Sequence, residues 1–153
     1  MTLRDPILVT HIASGTLGLI LGPIAMRAPK RRGRHTDAGT IYHWNMLAVA
    51  ISAIGLAIIK WSTLWWFLPI AVFSYGNAFV GYRAVRRKRP GWLPWHIRGM
   101  GGSYIALVTA LLVVNTQGRY EFVWFLPTLI GTPIIEATIA RLTSRRAPVG
   151  SGA

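Results

Sequence analysis

The chain has 153 residues, 52% hydrophobic and only 14% charged, with 17 Lys and Arg against 4 Asp and Glu and a formal net charge of +13. A disordered basic tail is not this apolar, a water-soluble domain carries about a quarter charged residues, and nucleic-acid binding leaves long uncharged runs without a purpose. Cations concentrated between apolar stretches are the pattern of a multi-pass membrane protein.

Five apolar runs follow in chain order, over 7–26, 41–60, 64–84, 99–115 and 122–140. Each holds roughly 17–21 residues, about what a helix needs to cross a ~30 Å hydrocarbon core at 1.5 Å per residue. None alternates with period two, and all are too long for barrel strands, so the expected fold is an all-α integral membrane bundle of about five helices. The first run is long enough to span, so no cleavable signal peptide is expected. The stretch 147–153 is rich in Gly, Ser and Pro and reads as a disordered tail.

The loops predict an orientation. Loop 27–40 carries Arg27, Lys30, Arg31, Arg32 and Arg34. The segment 83–98 carries Arg83, Arg86, Arg87, Lys88, Arg89 and Arg98, and the C-terminal stretch adds Arg141, Arg145 and Arg146. The opposite side has only Arg4, Lys60 and Arg119. By the positive-inside rule the basic side is cytoplasmic, which places the N-terminus outside and the C-terminus inside a bacterial inner membrane. Contact with anionic lipid accounts for the basic runs, and no nucleic-acid partner is expected. Trp61, Trp65, Trp66, Trp92, Trp95 and Trp124 fall near span ends as an aromatic belt.

Lipid gives no hydrophobic drive for helices to associate, so small and polar faces point to the interior. The first helix presents Gly15, Gly18 and Gly22 below His11; the second, His43, Met46, Ala50, Ala53 and Ala57. The fourth presents His96, Gly99, Ser103, Ala106 and Ala110, and the fifth Thr128, Thr132 and Glu136. These faces are expected to gather His43, His96 and Glu136, with His35 from the loop, in the interior near the cytoplasmic side. His11 stands apart on the outer side.

With no cysteine, disulfides, thiolate metal sites, iron–sulfur clusters and c-type haem attachment are excluded. His43, His96 and Glu136 could hold a divalent metal, although no HExxH or i, i+4 histidine pair occurs. Facing imidazoles at one depth, His43 and His96 on paper, suit a bis-histidine haem b, with Arg34 or Arg98 for its propionates. Ser103 and Ser74 lie on small faces as interhelical glue, and no nucleophile motif surrounds them.

Two stretches carry a resemblance. One is His11-Ile12 through Gly15, Leu21-Gly22-Pro23, and the basic loop with His35, Gly39 and Tyr42. The other runs from Trp95-His96-Ile97-Arg98-Gly99-Met100-Gly101-Gly102-Ser103-Tyr104 to Leu107, then Val114-Asn115, Leu126-Pro127 and Gly131-x-Pro133. Together they resemble the bacterial family of predicted membrane proteins designated domain of unknown function 2306. The resemblance implies a small multi-pass membrane protein and brings no activity with it. It directs attention to His11, His35, His43, His96 and Tyr104.

The sequence leaves three functions open. The first is binding of a haem, metal or small ligand by the His/Glu cluster, with Arg98 and Tyr104 at its edge. The second is an accessory or assembly subunit with no site of its own, held to a membrane-protein partner or to another copy. The third is a proton-coupled small transporter relaying protons through Glu136 and His96.

Overall fold

The computed structural model describes residues 4–30 and 33–144, and the expected tail at 147–153 lies outside them. In chain order the helices are α1 (Arg4–Arg27), α2 (Arg34–Ile59), the single turn α3 (Trp61–Leu64), α4 (Phe67–Arg87), α5 (Trp92–Asn115) and α6 (Phe122–Ser144). No strand occurs among the described residues, so the all-helical expectation holds.

Each apolar run corresponds to one long helix. α1, α2, α5 and α6 are by themselves long and apolar enough to cross a membrane. α4 is less apolar, because Tyr75, Asn77, Tyr82 and Arg83 dilute its run. The helices outlast the apolar runs at the basic end. α2 starts at Arg34, not near 41, and its 26 residues measure about 39 Å. α5 starts at Trp92, not near 99. Hydropathy registers only the part of a helix inside the hydrocarbon, whereas backbone hydrogen bonding continues into the headgroup layer.

α1 packs on α2, α2 on α4, α4 on α5, and α5 back on α1, which closes a four-helix ring; α6 lies outside the ring, against α5. α2 and α5 therefore face each other along the diagonal. Tyr42, Met46 and Val49 from α2, Ala78 from α4 and Leu107 from α5 form the buried centre. The Tyr42 hydroxyl bridges the diagonal to Ser103 Oγ at 3.0 Å, and Ser103 in turn donates to the Met100 carbonyl at 2.8 Å.

Glycines set the closest approaches. Gly81 of α4 meets Gly99 of α5 so tightly that a Cβ on Gly99 would lie 2.5 Å from the Gly81 nitrogen and 2.6 Å from the Asn77 carbonyl oxygen. On α1, Gly18 faces Asn45 and Leu107, and Gly22 faces the Tyr104 ring, whereas Gly15 has open space where a Cβ would go. Pro23 has no N–H, so the Leu19 carbonyl loses its helical donor. Tyr104 Oη donates to that carbonyl at 3.3 Å. Asn45 Nδ2 likewise donates across the α1–α2 seam to the Ser14 carbonyl at 2.8 Å.

Candidate functional site

The basic ends of α1, α2, α4 and α5 meet at one end of the ring. Two observations explain why two histidines face each other there. Pro29 leaves the Ala25 carbonyl without its helical donor at the C-terminus of α1. His35, in the first turn of α2, donates Nδ1–H to that carbonyl at 2.8 Å, and Lys30 Nζ donates to it at 3.0 Å and to the Met26 carbonyl as well. Partial burial pushes the Lys30 ammonium below its ordinary pKa. On α5, His96 sits one turn before Gly99. The Gly81–Gly99 contact brings it close enough to α4 to donate Nδ1–H to the Gly81 carbonyl at 2.9 Å.

A carbonyl only accepts, so each bond fixes the proton on Nδ1 and leaves the Nε2 lone pair of the neutral ring free. The two rings have centroids 6.1 Å apart and planes at 84°. Trp92 flanks His96 at 6.2 Å. Both histidines are half-buried, each anchored to a helix other than its own.

The expected His43–His96 pair is not what forms. His43 lies two turns beyond His35 on α2, and its ring turns toward α4. It stacks on Tyr82 at 4.1 Å with planes 4° apart, and Tyr75 lies 5.6 Å away. His43 is 3% exposed, and its Nδ1 has no hydrogen-bond partner among the described residues.

Glu136 does not join the histidines either. Arg98 grips it in a fork, Nε to Oε1 at 2.8 Å and Nη2 to Oε2 at 2.7 Å. Both side chains are about half exposed, at 51% and 47%. The reason is that α6 sits outside the ring, so Thr132 and Glu136 stay exposed beside α5 and do not reach the ring interior. Among the described residues no three His, Asp or Glu side chains gather as a metal site, so the expected grouping of His43, His96 and Glu136 is not formed.

The remaining candidates are accounted for by packing. His11 Nδ1 donates to Ser52 Oγ at 3.0 Å, while Ser52 donates to the Ala48 carbonyl at 2.7 Å. Tyr104 is tied to α1 as described, and Arg98 is committed to Glu136. His35, expected from a loop to join the cytoplasmic-side group, lies in the first turn of α2 and does meet His96; its direct pairing with that ring, in place of His43, was not expected. Two signals pointed to it: Gly33, which adopts φ 110° just before α2, and Pro29, which frees an acceptor for His35.

These features define a class: a multi-pass helical membrane protein with a histidine pair across one end of its ring. The chain belongs to the family of predicted membrane proteins designated DUF2306, which it matches over residues 8–144. It is also 30% identical over 133 residues to protoheme IX farnesyltransferase 1 of Paramagnetospirillum magneticum (strain ATCC 700264 / AMB-1). That match covers 77% of this chain and 47% of the relative, so the chain spans about half the length of the curated protein it matches. No solved structure matches the chain significantly.

Proposed function

We propose that this protein binds a b-type haem at the basic end of its ring, which His35 and His96 would hold. The observation that carries this reading is the anchored imidazole pair. The two rings lie with centroids 6.1 Å apart, and each has its Nδ1 engaged by a backbone carbonyl, which leaves Nε2 of both as the donors available to one group. A hydrogen bond from Nδ1 to a backbone carbonyl is the usual support of a ligating histidine, because it fixes tautomer and ring orientation together. Bundle cofactor sites are built from side chains on facing helices, and α2 and α5 face each other along the diagonal.

The donor set favours haem over a bare ion. Structural zinc takes four protein ligands and catalytic zinc three. A pair of histidines suffices for a metal that brings its remaining ligands in a macrocycle. Arg27 and Arg34 lie close by in sequence and would supply positive charge for its carboxylates. Similarity to half of a protein named for protoheme IX points in the same direction. Bound there, haem would supply one-electron chemistry; the chain's own part is to ligate, orient and neutralise. The basic end faces the cytoplasm of a bacterial inner membrane in this reading, because 14 of the 17 cations lie on that side. The transporter reading draws less support, since the Glu136 carboxylate is engaged by Arg98.

The test is expression with haem supply, purification, and a reduced-minus-oxidised spectrum with pyridine haemochrome quantification. The expected result is a low-spin b-type spectrum near one haem per chain. It is lost in His35→Ala and His96→Ala and kept in His11→Ala and His43→Ala. A colourless protein, or a spectrum that survives loss of both His35 and His96, overturns the reading.

A further inference from the structure

The α5–α6 side of the molecule carries charged groups at the edge of its apolar runs: Glu136 lies within the run 122–140, and Arg98 lies one residue before the run 99–115. α6 packs on α5 through Ile135 over Gly101 and Gly131 under Ile105. Thr132 and Glu136, one turn apart on α6, remain exposed beside that seam. Glu136 lies eight residues, about 12 Å, before the end of α6 at Ser144. Its bond with Arg98 is bidentate, yet both side chains stay about half exposed, at 47% and 51%. Charged groups in a spanning helix are costly against hydrocarbon and ordinarily face protein. Most of the other exposed residues on α6 are apolar, among them Phe125, Leu129 and Ile134. The ion pair thus marks one spot on an otherwise lipid-compatible surface.

We propose that this face, centred on Arg98 and Glu136, is the contact between two copies of the chain in the membrane. Charge complementarity selects a second copy as the occupant. The face carries one cation and one anion side by side and is therefore complementary to itself. About a two-fold axis along the membrane normal, Arg98 of each copy meets the partner's Glu136, and the intrachain pair grows into a four-charge ring. Thr132 of each copy then lies near the axis, where hydroxyls serve as interhelical donors and acceptors.

The chain has no cysteine, so an introduced one reports without background. Thr132→Cys in native membranes should give a reductant-sensitive dimer on oxidation. Ile51→Cys, exposed on α2, should not. The second measurement mixes two differently tagged variants, Arg98→Glu and Glu136→Arg. Each alone juxtaposes like charges within and between copies, whereas the mixed pair restores the two interchain contacts and leaves only the intrachain ones like-charged, so co-purification of the mixed pair should exceed either self-pair at least about ten-fold. The double exchange Arg98→Glu with Glu136→Arg in one chain should dimerise like the parent, which separates loss of contact from loss of folding. A parent that runs as a monomer in nanodiscs, a Thr132→Cys chain that stays monomeric or cross-links only to another protein, or equal recovery of mixed and self-pairs would each overturn the proposal.

Discussion

Gly99→Ala is the most exacting test of the packing. The added methyl would sit 2.5 Å from the Gly81 nitrogen, 2.6 Å from the Asn77 oxygen and 2.7 Å from the Gly81 Cα, whereas ordinary contact begins at 3.4 Å. All three neighbours are backbone atoms of α4, so no rotamer change relieves the overlap. The helices must part locally by about 0.9 Å to reach that limit. A shift of that size also carries the His96–Gly81 hydrogen bond from 2.9 Å to beyond bonding range. Overpacking costs about 1–3 kcal/mol and the lost bond about 1 kcal/mol, together roughly 2–4 kcal/mol. At this chain length that corresponds to a fall of roughly 6–12 °C in apparent Tm. The assay is thermal unfolding in one detergent, followed by circular dichroism at a fixed scan rate. Gly76→Ala, on α4 with nothing within 4 Å, serves as control and should stay within about 1 kcal/mol of the parent. A Gly99→Ala protein as stable as the parent, or equal damage from Gly76→Ala, would refute the close α4–α5 contact.

Tyr104→Phe removes the donor to the Leu19 carbonyl that Pro23 leaves unpaired, and should cost about 1–3 kcal/mol in the same melt. Tyr42→Phe keeps the ring and deletes only the bond to Ser103; a loss of about 0.5–1.5 kcal/mol is expected. Asn45→Ala should cost a similar amount through the Ser14 carbonyl, while Gly15→Ala, with open space at its Cβ, should be nearly silent. Reporter fusions placed after residue 144 and before residue 4 should read cytoplasmic and external, respectively; the reverse pattern would contradict the charge-based orientation.

The sequence by itself determined the solvent and the elements. Apolar runs of bilayer length leave helices as the only economical way to pair every backbone amide, and the runs matched five long helices. It also determined which residues of each ring helix turn inward. Gly18, Gly22, His43, Met46, Gly99 and Ser103 are buried as their helical spacing requires, because close backbone approach is what holds helices together in lipid. The tertiary structure decided which polar groups meet which. Spacing assigns a residue to a face of its own helix, but it does not say which neighbour that face meets, nor that α6 stands outside the ring. His43 therefore went to the tyrosines of α4 and Glu136 to Arg98, while His35 came to His96. That last pairing depends on a carbonyl freed by Pro29 and a glycine contact at Gly81, both on other helices. Such choices follow from contacts between helices, which no periodicity along a single helix contains.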